Sequence, residues 1–242
     1  DEIIISTKAG YYMWPGPYGD FGSRKYLMAS INQSLERLGL DYVDIFYHHR
    51  YDPNTDLKET MTALRDIVLQ GKALYVGLSN YKSEQLIAAH KLLDEMHVPY
   101  VITQPSYSML NRWIETDNLL DTQYDLGGGT IAYSVLAQGK LTNKYINEIP
   151  EDSRAKNKAA IWFTEKDITD ELRAKLVKLD QISKRRGQNI AQMALAWALR
   201  NPKLTSVLIS TSKLSQLDDN LKTLENLEFS EAELIEIDAI LK

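Results

Sequence analysis

The chain has 242 residues, of which 44% are hydrophobic and 25% are charged, so it is long enough to form one large α/β domain or two small domains, with a sizeable core. The net charge of −5 is spread over both signs without long runs, which argues against a nucleic-acid-binding surface. No cysteine occurs, and this excludes disulfides, zinc–cysteine clusters, iron–sulfur centres and thiol catalysis.

Short apolar runs alternate with amphipathic stretches from one end of the chain to the other. The apolar runs predict strands over residues 3–7, 43–47, 73–78, 100–103, 130–132 and 206–209. We expect the first two strands to be buried on both faces. Apolar residues at helical spacing predict helices between the strands, with helix-start residues at Ser23, Ser83, Asn189 and Ser230 and a helix end at Gly71. Strict alternation of strands and helices predicts a parallel sheet.

The expected architecture is a TIM (β/α)8 barrel. A closed barrel needs eight strand–helix units, and the sequence shows six of them. We therefore expect residues 1–242 to be a single barrel domain from which the first two strand–helix units are missing. Residues 13–19 predict a loop directly after the first strand, because prolines and glycines prevent a regular element there. Residues 143–167 predict a second, longer loop over the same face.

Polar side chains stand at the ends of four predicted strands. Lys8 and His49 end the first two strands, and Ser79, Asn80 and Gln104 end the next two. Each of them alone is more typical of a solvated strand end, a turn or a satisfied core residue. Because the carboxyl ends of parallel barrel strands meet at one mouth, the set together predicts a site that hydrogen-bonds a planar amide.

Two further motifs resemble a metal site and a dinucleotide-binding loop, but their positions argue against both. His48 and His49 are adjacent on a strand and therefore point to opposite faces, and no carboxylate at ligand spacing accompanies them, so no metal is expected. The glycines at 127–129 precede a strand rather than follow one, so they predict a turn and not a dinucleotide-binding loop.

Several motifs, in order along the chain, resemble those of the aldo-keto reductase family. They are Ile5-Ser6-Thr7-Lys8, Asp41-Tyr42-Val43-Asp44 with His49, Val76-Gly77-Leu78-Ser79-Asn80, Gln104-Pro105-Ser106-Tyr107, Ala132-Tyr133-Ser134-Val135-Leu136-Ala137-Gln138-Gly139, and Ser212 through Gln216 to Asn220. Residues 13–19, 23–26 and 111–113 are similar to one bacterial subgroup of reductases that act on glyceraldehyde 3-phosphate and methylglyoxal. That subgroup is related to the β-subunits of voltage-gated potassium channels.

The resemblance implies a TIM barrel that binds NADP(H) and carries a proton-transfer tetrad of Asp, Tyr, Lys and His. Lys8 matches the tetrad Lys and His49, rather than His48, matches the His that orients the substrate carbonyl. The tetrad Asp and Tyr have no counterpart by motif, since Tyr11 and Tyr47 stand elsewhere in the pattern. Either the complete gene product carries a preceding segment with both residues, or the chain is a truncated form with little activity.

The resemblance also implies a set of cofactor-binding residues. The nicotinamide carboxamide is matched by Ser79, Asn80 and Gln104. Tyr133 matches the aromatic residue that stacks on the nicotinamide ring, with Ser134 beside it in the cofactor set. The pyrophosphate loop is matched by Leu136, Gln138, Gly139 and Leu141. The 2′-phosphate is matched by Ser212 and Lys213, and the adenine by Gln216, Asp219 and Asn220. Trp14 and Trp113 are expected to line the substrate pocket, Trp113 near the fifth visible strand with Arg112 beside it to meet an anionic group. The alternative for both tryptophans is packing in subunit contacts.

The predicted function is NADPH-dependent reduction of small aldehydes, of the glyceraldehyde 3-phosphate or methylglyoxal type, to alcohols. The first alternative is a cofactor-binding regulatory subunit similar to the potassium-channel β-subunits, which usually carry Asn at the position of His49. The second is a barrel aldolase or isomerase that uses Lys8 as a Schiff base, which leaves Ser212 and Lys213 unexplained. We expect a small aldehyde as partner, a cytoplasmic location, no nucleic acid and no membrane. Members of this subgroup tend to assemble, which implies a homo-oligomer as a further partner of this chain.

Overall fold

The computed structural model describes residues 2–157 and 163–242 and has an α/β architecture. The strands are β1 (Ser6–Ala9), β2 (Val43–His48), β3 (Ala73–Ser79), β4 (Tyr100–Gln104), β5 (Gly129–Ala132) and β6 (Ser206–Val207). The helices are α1 (Arg24–Leu38), α2 (Leu57–Leu69), α3 (Ser83–Glu95), α4 (Trp113–Thr116), α5 (Leu119–Asp125), α6 (Asp170–Arg185), α7 (Ile190–Leu199), α8 (Leu214–Leu221) and α9 (Glu231–Leu241). The strands lie in chain order in a 6-stranded sheet, and β1 to β5 pair in parallel, so the predicted parallel α/β class is confirmed.

The chain divides into two compact units, of which the first runs up to Pro105 and includes Ile114–Ile131. Its core is apolar: Tyr26 of α1, Leu64 of α2 and Leu86 of α3 are completely buried. Burial of one apolar stripe on each helix supplies most of the stability of such an arrangement. The three helices thus bury apolar side chains within the unit that contains Lys8 and His49.

The second unit contains Ser106–Trp113 and the chain from Ala132 onward. Leu176 of α6, Trp197 of α7 and Ile237 of α9 are completely buried in it. The backbone N–H of Leu208, just after β6, donates to the Ala132 carbonyl at 2.8 Å, so β6 continues the sheet next to the end of β5. The single-domain expectation for residues 1–242 stays a prediction.

The first strand begins later than predicted, and this corrects the expectation of a buried run at residues 3–7. Ile3 and Ile4 are 77% and 74% exposed. The ladder with β2 starts only at the pair Ser6↔Ile45, and just before it the Asp44 carboxylate accepts the Ile5 N–H at 2.7 Å. Among the described residues, no strand pairs with Ile3 or Ile4, and both side chains stay exposed. As a result Lys8 lies inside β1 and not beyond its end.

Most of the predicted helix ends are confirmed. Ser23 caps α1 and accepts the Tyr26 N–H, while Gly71 follows the last residues of α2 at φ +70°. Capping boxes begin α7 at Asn189 and α9 at Ser230, as the sequence predicts. Ser83 is the first residue of α3 rather than its cap. The predicted loop 143–167 contains short 3-10 turns, and its residues 158–162 lie outside the described part of the chain.

Candidate active site

Lys8 is a partly buried cation on β1. Its Nζ donates to Oε1 of Gln104, at the end of β4, at 2.6 Å, and it lies 4.9 Å from the centre of the Tyr47 ring. Burial lowers the pKa of Lys8. Within residues 2–157 and 163–242, the groups that contact this ammonium are a neutral amide oxygen and an aromatic ring, with no carboxylate among them. The cation is therefore available to stabilise negative charge that develops next to it.

Tyr47 of β2 supports Lys8 but is not suited to be a proton donor. Its ring passes so close to Gly77 of β3 that a Cβ at Gly77 would lie 2.4 Å from ring atoms, so only glycine fits there. Burial raises the pKa of Tyr47 to about 12, although a hydrogen bond with Gln104 opposes that shift. The phenol is therefore a weaker acid than an ordinary tyrosine, which disfavours proton donation by Tyr47.

His49 comes directly after β2, next to the strand that carries Lys8. Its backbone N–H donates to the Ala9 carbonyl at 2.8 Å, and its backbone carbonyl accepts a hydrogen bond from Asn80 Nδ2 at 3.1 Å. Its ring stands edge-on to the Tyr11 ring, with the centroids 4.6 Å apart and an interplanar angle of 82°. Burial and then the positive charges of Lys8 and Arg50 lower the pKa of His49 to about 4. At neutral pH the imidazole is uncharged and offers one N–H donor and one acceptor.

His48, the last residue of β2, has different neighbours. It is completely buried, with Nδ1 2.6 Å from the Tyr81 hydroxyl and Nε2 3.4 Å from the Phe21 carbonyl oxygen. Burial lowers its pKa to about 4, so this imidazole is also neutral. A Cβ added to Gly22 would lie 2.7 Å from His48 Nε2, which shows how closely the chain is packed there. These contacts give His48 a structural role.

Ser79, Asn80 and Gln104 form a connected polar group at the carboxyl ends of β3 and β4. The Ser79 hydroxyl donates to the Gln104 carbonyl at 2.7 Å and accepts from Asn80 Nδ2 at 3.0 Å. Asn80 has a left-handed backbone, with φ +56°, which turns the chain away from the end of β3. The model thus brings together these three predicted residues, Lys8 and His49 within the first unit. Hydroxyl and amide groups of this kind match the donors and acceptors of a carboxamide.

In the second unit, the predicted nicotinamide and pyrophosphate residues lie on the loop after β5. Tyr133 pairs with Ser106 in an isolated parallel bridge, and Ser134 has φ +57°. Leu136 accepts the N–H groups of Gly139 and Leu141 at 2.8 and 3.2 Å, and the Leu141 side chain is completely buried. Only the backbone of Leu141 is therefore suited to face a ligand.

Gln138 carries an unusual feature of the same loop. It has φ +62°, and its side-chain Oε1 is buried without a hydrogen-bond partner. Such a group costs free energy unless a ligand or water satisfies it. Because an amide oxygen only accepts hydrogen bonds, the group that would satisfy it is a donor such as a ribose hydroxyl, and not a pyrophosphate oxygen.

The predicted 2′-phosphate and adenine residues lie at the start of α8 and along it. Ser212, Lys213 and Gln216 are exposed, and Gln216 Oε1 accepts from the Ser212 N–H at 3.1 Å. Asp219 points instead toward the start of α7, where its carboxylate accepts from Asn189 and Gln192 at 2.7 and 3.1 Å. Asn220 is partly exposed. Lys213 is the residue whose exposed ammonium is best suited to a terminal phosphate.

The tryptophans predicted to line the substrate pocket are both partly buried. Trp14 lies on the loop after β1, 5.3 Å from the Tyr26 ring. Trp113 begins α4, which follows β4 rather than the fifth strand, and its Nε1 donates to the Ser106 carbonyl at 2.8 Å. Arg112 pairs with Asp238 of α9 at 2.6 Å, which disfavours the expected contact of Arg112 with a substrate anion.

The family model of the aldo/keto reductase family matches residues 1–242, which is the whole chain. This chain belongs to the aldo/keto reductase family. The predicted family and oxidoreductase class are thereby confirmed, and the six parallel strands agree with a part of the (β/α)8 architecture.

Two relatives of this aldo/keto reductase carry the same name. The L-glyceraldehyde 3-phosphate reductases of Escherichia coli O157:H7 and of Escherichia coli strain K12 are each 52% identical over 240 residues, which is 98% of this chain and 69% of each relative. A probable voltage-gated potassium channel subunit beta of Arabidopsis thaliana is 33% identical over 226 residues, which is 93% of this chain and 69% of that protein.

Some residues around the site are not found by motif. Tyr11, Tyr47 and Arg50 contact His49 or Lys8, or shift the pKa of His49, yet none of them stands in a family motif quoted above. The signal that could have identified Arg50 is a cation two residues after a buried strand. Among the described helices, none is long and apolar enough to cross a bilayer.

Proposed function

We propose that this aldo/keto reductase reduces small aldehydes to alcohols with NADPH. The observation that carries the proposal is the pairing of a buried ammonium, Lys8, with a neutral imidazole, His49, at the ends of neighbouring strands. A carbonyl that accepts a hydride develops negative charge on its oxygen. A fixed cation and an uncharged N–H donor are the groups that stabilise such an oxygen.

The roles differ between the two residues. The His49 N–H orients the carbonyl oxygen of the substrate, and the Lys8 ammonium supplies positive potential beside it. Because the pKa of Tyr47 is raised to about 12, we do not assign proton donation to its phenol. The resemblance implies that a tetrad Asp and Tyr complete the proton transfer, and no residue of this sequence matches them by motif.

The proposed cofactor is NADP(H), which supplies the hydride when it is bound. Ser79, Asn80 and Gln104 would hold the carboxamide, and the unpaired Oε1 of Gln138 supports a bound polar group at the loop after β5. The exposed Lys213 with Ser212 supports NADPH over NADH, because an ammonium and a hydroxyl suit the 2′-phosphate. Fluorescence titration of the protein with NADPH tests binding, and an aldolase or isomerase using Lys8 as a Schiff base would show none.

The proposed substrates are short aldehydes, including phosphorylated trioses and methylglyoxal. The 52% identity with reductases named for L-glyceraldehyde 3-phosphate supports this class. NADPH oxidation by the complete gene product, measured with a panel of trioses, methylglyoxal and bulky ketones, is the test. A higher kcat/KM for the bulky ketones would reject the substrate class.

A regulatory subunit that binds NADPH without turnover is the second candidate. The 33% identity with a potassium channel subunit beta supports it. His49 favours the enzyme, because those subunits usually carry Asn at this position. Tight NADPH binding together with no aldehyde-dependent oxidation across the panel would favour the regulatory subunit.

A further inference from the structure

We propose that Arg50 is a positioning residue that fastens both ends of the β1–α1 loop, residues 10–22, and so holds the Tyr11 ring against His49. The proposal rests on the proposed function only in the statement that His49 acts on the substrate. The loop geometry itself is independent of that statement.

The guanidinium of Arg50 contacts both ends of the loop. Its Nε donates to the Gly10 carbonyl at 2.7 Å, and one terminal nitrogen donates to the Asp20 carboxylate at 2.7 Å. Its Cζ also lies 4.3 Å from the centre of the Tyr11 ring and 4.1 Å from that of Phe21. A planar, multiply donating cation is the side chain suited to such a set of contacts, and lysine is not.

Other side chains hold one end of the loop each. The Tyr26 hydroxyl accepts the Gly10 N–H at 3.0 Å and donates to the Tyr11 carbonyl at 2.6 Å. At the far end, Asp52 accepts the Gly22 N–H at 3.0 Å. Neither of them touches the opposite end in the described structure, whereas Arg50 touches both.

The loop begins directly against the histidine. A Cβ added to Gly10 would lie 2.9 Å from His49 Cβ, and Gly10 has φ +155°, so only glycine allows this approach. The next residue, Tyr11, presents its ring to the imidazole edge-on. A shift of the loop therefore changes the surroundings of the imidazole, and small displacements of an orienting group are costly in rate.

The test uses the His49 ring-proton NMR signal at pH 8 in the complete gene product, assigned by its absence in His49→Gln. Tyr11→Leu removes the aromatic ring and defines the signal of an uncovered imidazole. Arg50→Gln should move the signal to that same position. Arg65→Gln is the matched control, because Arg65 also donates to a carboxylate but does so on α2, to Asp66, and it should leave the signal unchanged.

Arg50→Lys keeps the positive charge but removes the planar guanidinium that contacts both ends of the loop. If contact with both ends of the loop is what matters, Arg50→Lys shows the displaced NMR signal. In Arg50→Lys and Arg50→Gln, kcat/KM for the aldehyde should then fall roughly 10-fold or more. The affinity for NADPH should stay within about 2-fold of the wild-type value. A wild-type signal in Arg50→Lys or Arg50→Gln would overturn the proposal, as would full activity in both. Wild-type protein that reduces no aldehyde would reject the proposed function, while the NMR result would still decide the role of Arg50.

Discussion

The two units carry their candidate site residues in opposite environments. In the first unit, Lys8, His49 and Gln104 are at least partly buried and linked to fixed neighbours. In the second unit, Ser212 and Lys213 are exposed at the start of α8. The contrast follows from what each region is proposed to do: charge that develops during a reaction needs groups oriented in advance in a low dielectric, whereas a cofactor phosphate can be met by an exposed cation.

The largest expected effect is on the reaction rate, and it tests the partly buried residues of the first unit. His49→Ala should lower kcat/KM for aldehyde reduction by roughly 10²-fold, because an orienting donor acts as charge develops on the oxygen. The dissociation constant of NADPH should stay within about 2-fold, measured by fluorescence titration. His97→Asn, at an exposed histidine with φ +54° that Asn tolerates, is the control and should change neither value. An equal loss in cofactor affinity would mean that His49 holds the cofactor.

The next effect concerns stability and pH at His48. Its pKa of about 4 lies below the unfolded value near 6.5, so the unfolded chain binds more protons between these values. Stability is therefore fully present above about pH 6.5 and is lost as the pH falls toward 4. We expect this histidine alone to remove about 2 kcal/mol of unfolding free energy between pH 7.5 and pH 5.

Urea unfolding of the wild type and of His48→Gln at both pH values measures that contribution. The variant should be less stable at pH 7.5, since it loses the contacts with Tyr81 and Phe21, but its stability should depend less on pH. Parallel pH curves for the two proteins would show that His48 does not titrate in this way.

The smallest expected effect is on cofactor affinity, and it tests the exposed residues of the second unit. Lys213→Ala should weaken NADPH binding roughly tenfold and leave NADH binding unchanged, because one charge-assisted contact with the 2′-phosphate is lost. Dissociation constants for both cofactors give the ratio. Lys178→Ala removes another exposed lysine of the same unit, on α6, and should leave the ratio as it is. An unchanged ratio in Lys213→Ala would reject the assignment of the 2′-phosphate to this residue.

The sequence by itself determined the six strands and the helices α1, α2, α3, α7 and α9, because periodic burial and helix caps are local signals; the short helices α4, α5 and α8 were not predicted. Ser23, Asn189 and Ser230 mark helix starts in the sequence and in the structure. Helix α6 was missed even though Thr169 caps it, and its apolar residues recur at helical spacing after the irregular segment before it. Strand ends also indicated Lys8 and His49, because parallel strands bring their carboxyl ends together.

Only the tertiary structure decided how these side chains are used. The sequence places His48 and His49 on opposite faces of a strand and the resemblance selects His49, but only the structure shows that His48 bonds to Tyr81 and that His49 faces Tyr11. The exposure of Ile3 and Ile4 likewise depends on where the ladder with β2 begins, which is a relation between segments about forty residues apart. Burial, pKa values and contacts such as those of Arg50 arise between residues distant in the chain, and a single sequence carries no direct record of those distances.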